Sequence, residues 1–241
     1  MANSIEAINL SKSYKTKEAV SDINFKVGAN EMIGLLGPNG CGKTTTIAMI
    51  LGLLKPTKGK VLINGMNIEK NKISVLHKMN FISPYIELPK KLKVKQNLIV
   101  YGKLYNVKNL TNRIEYLANK LRLNELLDKI TGELSSGQKN RVSLAKALIN
   151  DPTVLLLDEP TASLDPETGD FIRTFLENYK KEKKISVLLA SHNMDEVKRL
   201  CSSVLMMKNG MIVDRGAPND LISKYGRRNL EEVFLTIARN E

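Results

Sequence analysis

Residues 32–50, MIGLLGPNGCGKTTTIAMI, constrain the fold more tightly than any other stretch of this chain. A short apolar run reads as a buried strand and enters a loop carrying Gly37, Gly40 and Gly42; a helical pattern follows. The glycines let successive backbone N–H groups turn inward, where they meet the positive end of the helix dipole. The segment GPNGCGKT (Gly37, Pro38, Asn39, Gly40, Cys41, Gly42, Lys43, Thr44) fits the phosphate-loop pattern, with Thr45 next in line. Lys43 would bring a full charge to the β- and γ-phosphates, and the Thr44 hydroxyl a ligand for Mg2+. A glycine-rich turn with an incidental Lys-Thr is the competing reading, and the strand before and helix after weigh against it.

The surrounding pattern alternates strands and helices. SIEAINLSKSY near the start reads as a half-buried strand, and the helix after the loop runs on toward Lys55-Pro56. Asn64-Gly65 marks a hairpin within GKVLINGMNI, and MNFIS (79–83) is a further buried strand. From residue 84 to about 150 the β-branched runs thin out, and Leu/Lys/Asn-rich patterns such as NLIVYGKLY and RIEYLANKLRL predict helices. Strands return with TVLLLDEP and ISVLLASH, followed by a hairpin around Asn209-Gly210. This order predicts a largely parallel sheet covered by helices, with a helical insertion.

At 241 residues the chain fits one large α/β domain or a core with an inserted subdomain, and its 42% hydrophobic content excludes wholesale disorder. No apolar run nears the ~18 residues that span a bilayer, and MANSIEAINL has no secretory pattern. A soluble chain is expected, with any membrane role falling to a partner. The net charge is +12, and 28 of the 37 basic residues are lysine. Either a basic face for nucleic acid or anionic lipid, or a dispersed lysine bias, accounts for that. Cys41 and Cys201 make no disulfide framework and fit a reducing cytoplasm.

The acidic counterpart of the phosphate loop is VLLLDEP. Its apolar residues carry the chain through the sheet, and Asp158 and Glu159 emerge at the carboxyl edge, where ligands of open α/β sheets sit. Asp158 would hold Mg2+, and Glu159 would act as general base on the attacking water. In SLDP, Asp165 suits a helix N-cap with Pro166 at the first helical position. His192 follows the strand ISVLLAS, where it would reach a γ-phosphate, and Asn193 with Glu196 predicts a capping box. GELSSGQKNRVSLAKAL, residues 132–148, offers another box, Ser135 with Gln138, ahead of a Val142/Ala145/Ile149 stripe. Capping does not explain Gly137, which costs up to about 1 kcal/mol relative to alanine in a helix. A helix start with a small hydroxyl and a glycine reads instead as a second anion-binding surface.

The order GPNGCGKT, LSSGQ, VLLLDEP, SLDP and His192 resembles the nucleotide-binding subunits of ABC transporters over essentially the whole chain. The resemblance implies a P-loop NTPase fold of RecA-like type: a mostly parallel sheet with flanking helices, an N-terminal antiparallel β portion and an inserted α-helical subdomain. It implies a single domain over 1–241, with a nucleotide-binding core at 1–83 and 151–216, a helical signature subdomain at 84–150 and a short helical tail at 217–241. ATP and Mg2+ are the expected cofactors, and ATP hydrolysis coupled to transport the expected activity. Two cassettes would pair head to tail, Ser135, Gly137 and Gln138 serving ATP on the other copy, and Tyr14 would stack on adenine. The implied partners are an integral-membrane permease and a second cassette, as homodimer or heterodimer, and not nucleic acid. The chain would lie on the cytoplasmic face of the membrane. A non-transport ATPase acting on ribosomes or DNA, and a weakly active regulatory cassette, are the alternatives.

Two departures stand out. The signature has Ser136 where glycine is commoner, a small-for-small change. Pro84 stands where the family carries a glutamine that touches Mg2+ and the attacking water, and its side chain neither donates nor accepts. One lost hydrogen bond to a charged group is worth roughly 1.5–3 kcal/mol, which predicts a slow or differently coupled ATPase. Residues 84–96, including KKLKVK, correspond to the surface that receives the permease; their lysines face either the headgroup layer or solvent. NLEEVFLTIARNE resembles the ends of exporter ATPases with a separate permease. Cys41, at a helix start, is read either as a small loop filler or as a thiol with a lowered pKa.

Overall fold

The computed structural model describes residues 3–15, 17–84 and 86–239, and the chain divides into two compact units, 1–76 with 184–241 and 77–183. Elements are numbered in chain order. In the first unit β1 (Asn3–Tyr14) and β2 (Lys17–Gly28) form an antiparallel pair, and β4 (Lys58–Ile63) adds to the other side of β1. The chain then turns at Asn64-Gly65, both at positive φ as a tight hairpin requires, into β5 (Met66–Asn67). A second sheet centres on β3 (Met32–Leu36), which runs parallel to both β8 (Ser186–Ala190) and β9 (Ser203–Lys208). Every residue of β3 and β8 is buried, as expected of strands covered on both faces. β10 (Met211–Gly216) folds back antiparallel to β9 across Asn209-Gly210.

Among its described residues this unit also has the helices α1 (Lys43–Ile50), α2 (Lys72–Leu76), α7 (Met194–Leu200), α8 (Pro218–Lys224) and α9 (Leu230–Arg239). Asn240 and Glu241, the end of the expected tail, lie outside the described residues. Helix α1 stops at Ile50, not near Lys55-Pro56 as its apolar pattern suggests. Gly52 adopts φ 63°, and its N–H meets the Met49 carbonyl at 3.0 Å while the Leu53 N–H meets that of Ala48 at 3.0 Å. These are the paired bonds of a left-handed glycine cap, which closes the helix before the proline is reached.

The second unit holds the parallel pair β6 (Met79–Ile82) and β7 (Val154–Asp158) and the helices α3 (Val94–Leu104), α4 (Leu110–Lys120), α5 (Ser136–Leu148) and α6 (Pro166–Lys183). The Leu/Lys/Asn-rich stretch is thus helical, as its pattern predicts. Leu98, Leu117, Leu121, Val142, Ala145 and Ile149 are fully buried, and each large aliphatic so placed contributes about 1.5–3 kcal/mol. Arg113 closes the end of α5. Its guanidinium donates to the Leu148 carbonyl at 2.5 Å, to the Tyr179 hydroxyl at 2.9 Å and to Asp151 at 3.1 Å. A cation on the last carbonyls of a helix also suits the negative end of its dipole.

Candidate nucleotide site

In the first unit the polar end of β3 is built almost wholly from backbone. Gly40 and Gly42 lie at φ 78° and 110°, which side-chain-bearing residues rarely adopt. At Gly42 a Cβ would also stand 2.6 Å from the Ala19 carbonyl. Gly42 caps α1 in a left-handed conformation, with no side-chain cap and no acidic residue in the first turn. The free N–H groups and the positive dipole end therefore remain for an anion. The Lys43 ammonium curls back onto the loop, donating to the Gly37 carbonyl at 2.5 Å and the Pro38 carbonyl at 3.2 Å. Asn39, Gly40 and Thr44 are exposed, and Thr45 is half-buried.

Cys41 resolves in favour of the loop filler. Its thiol is buried, and desolvation pushes its pKa up against the opposing charge of Lys43. The lowering read for a helix start is not found, because burial outweighs the Lys43 charge and the hydrogen bonds of the loop. Tyr14 closes β1 with its ring half exposed and the Lys12 ammonium 5.3 Å from the ring centre. His192 is exposed, two residues beyond the end of β8. Beside it the predicted capping box of α7 takes a relayed form. The Asn193 side chain accepts the Glu196 N–H at 2.9 Å, but the return bond passes through a hydroxyl. The Asn193 N–H donates to Ser191 Oγ at 3.1 Å, and that hydroxyl donates to buried Glu196 at 2.6 Å.

In the second unit the polar end of β7 is built from side chains. Asp158 is the last strand residue, and Glu159 follows at φ 50°, a left-handed conformation that costs a non-glycine residue about 1–3 kcal/mol. Ser83 Oγ donates to Asp158 Oδ2 at 3.3 Å, and Asn140 of α5 donates to the Pro160 carbonyl at 2.7 Å. A cavity of about 260 Å³ brings Glu159 to the same wall as Ser83, Pro84, Ser136, Lys139 and Ser163. The Ser135/Gln138 box forms as predicted: Gln138 N–H to Ser135 Oγ at 3.3 Å, Ser135 N–H to Gln138 Oε1 at 3.1 Å. Gly137 has a steric reason besides any anion: a Cβ there would stand 3.1 Å from the Thr168 side chain of α6. Asp165 caps α6 through the Thr168 N–H at 2.9 Å, which holds its carboxyl below the usual range.

Four supporting residues escape a reading of the sequence. Ser83, Asn140 and Ser191 carry no motif, and Gly210 is recognisable only as a turn. Its N–H donates to the Cys41 carbonyl at 3.0 Å and so holds the phosphate loop from behind. A pairing across that many residues leaves no local signal.

The model of the ABC transporter family matches residues 20–162 of the chain. This chain belongs to the ABC transporter ATP-binding family. The cassette is 37% identical to Nod factor export ATP-binding protein I of Rhizobium johnstonii, over 91% of its own length and 71% of that protein. It is 33% identical to the ABC transporter ATP-binding protein NatA of Bacillus subtilis, over 92% and 91% of the two chains. A solved ATP binding subunit of an ABC transporter superposes with a TM-score of 0.88 at 27% identity, over 96% of the cassette and 98% of that chain. The cassette thus has the P-loop NTPase fold of a family that binds and hydrolyses ATP. Among its described residues no helix is long and apolar enough to cross a membrane.

Proposed function

We propose that the cassette hydrolyses Mg2+-ATP to energise export through a separate membrane permease, and that it does so paired with a second cassette. The observation that carries this reading is the start of α1, where a left-handed glycine, an uncapped helix end and a lysine ringed by loop carbonyls leave several donors for a triphosphate. The fit to Mg2+ rests on hard oxygen donors, the exposed Thr44 hydroxyl and the Asp158 carboxylate. Both are the oxygen ligands that Mg2+ takes alongside phosphate and water. Bound there, Mg2+ would neutralise charge on the phosphates.

Residues 37–45 wrap the phosphates, with Lys43 as their fixed charge. Glu159 orients the attacking water and takes its proton; His192 donates to the γ-phosphate; Tyr14 covers the adenine. Ser135, Gly137 and Gln138 serve ATP held by the partner copy, which the exposure of the Ser135-Ser136 turn permits. The export direction draws on the Nod factor relative, and the place of action is the cytoplasmic membrane face through the permease. Glu159→Gln tests the reading. Turnover should fall about 10²–10⁴-fold. With saturating Mg2+-ATP the variant should also accumulate as a dimer in light scattering, because ligand bound only by the closed pair stabilises it. A strictly monomeric variant, alone and with its permease, would defeat the pairing.

A further inference from the structure

By the resemblance Pro84 falls at the family's glutamine position, and on that reading the end of β6 meets its polar neighbours by other means. The β6–β7 register supplies one. Ile82 pairs with Leu157, so the next two residues, Ser83 and Asp158, leave the parallel ladder side by side. Ser83 is 7% exposed, and its hydroxyl donates to Asp158 Oδ2 at 3.3 Å. The strand end carrying it is tethered in turn, since the half-buried Lys146 of α5 donates to the Phe81 carbonyl at 3.4 Å. Pro84 brings no donor of its own to the cavity that it shares with Ser83 and Glu159.

We infer that Ser83 is a positioning residue that orients the Asp158 carboxylate for Mg2+, in the place left by the absent glutamine side chain. A hydroxyl on one carboxylate oxygen restricts rotation of the group and strengthens it as an oriented ligand, as partners behind metal ligands generally do. A proline fits beside it, because its fixed φ stiffens the chain just after the serine. The inference rests on the assignment of Asp158 as a Mg2+ ligand proposed above.

The experiment measures ATP affinity of the purified full-length chain against Mg2+ concentration, by displacement of a fluorescent nucleotide, with thermal melting in the absence of both. Ser83→Ala should raise the half-saturating Mg2+ about tenfold and leave the melting temperature without ligands unchanged. Adding Pro84→Gln to Ser83→Ala should recover most of that loss. Ser83→Cys, which keeps the volume with a weak donor, gives the same reading should the alanine variant fail to fold. If Asp158→Asn loses its Mg2+ response while both Ser83 variants stay within twofold of the parent, the inference falls and the Asp158 assignment stands. If all three keep the parental response, the assignment itself falls. A melting loss equal to the affinity loss would reduce Ser83 to a packing role and overturn the inference.

Discussion

The phosphate loop after β3 and the carboxylate pair after β7 solve one problem in opposite ways: each must present polar groups at the end of a fully apolar strand. After β3 the work falls to backbone, with glycines at φ 78° and 110° and an uncapped helix end. After β7 it falls to side chains, with Asp158 held by Ser83 and the backbone just past Glu159 held by Asn140 through the Pro160 carbonyl. A backbone-built site tolerates almost no substitution at its glycines, and its sequence is correspondingly rigid. A side-chain-built site can exchange one supporting group for another.

The sharpest test of that contrast is Gly42→Ala. The left-handed backbone and the approach of the Ala19 carbonyl should together cost on the order of 3 kcal/mol and abolish nucleotide binding, checked by thermal melting and equilibrium dialysis. A variant that still binds ATP would show that the loop has slack, and the contrast would break. Ser135→Ala should do less: removing the N-cap of α5 should lower stability by about 1 kcal/mol in urea unfolding. ATP affinity of the isolated chain should not change, since the turn is assigned to another copy. The smallest effect concerns Cys41. Burial raises its pKa, so it carries less thiolate at pH 8 than an ordinary thiol, and maleimide should label it more slowly than a free cysteine. Labelling as fast as free thiol would mean that the loop opens readily.

The same contrast explains what could be read in advance. The left-handed glycines of the loop, the capping box of α5 and the turns at Asn64-Gly65 and Asn209-Gly210 follow from local rules, and they form as those rules require. The apolar pattern overextends helix α1, because it does not register a left-handed Gly52. The sequence leaves two readings open for Cys41, because burial is set by the whole unit and not by the local helix start. Ser83 and Ser191 were invisible, since a hydroxyl gains its role only from the partner that folding brings to it.

The tip of the β9–β10 hairpin has a mechanical implication. Gly210 anchors the Cys41 carbonyl, and Lys208, two residues before it, donates its ammonium to the Ile237 carbonyl in α9. Helix α9 is therefore tied to the glycine-rich loop after β3 through only a few hydrogen-bonded steps.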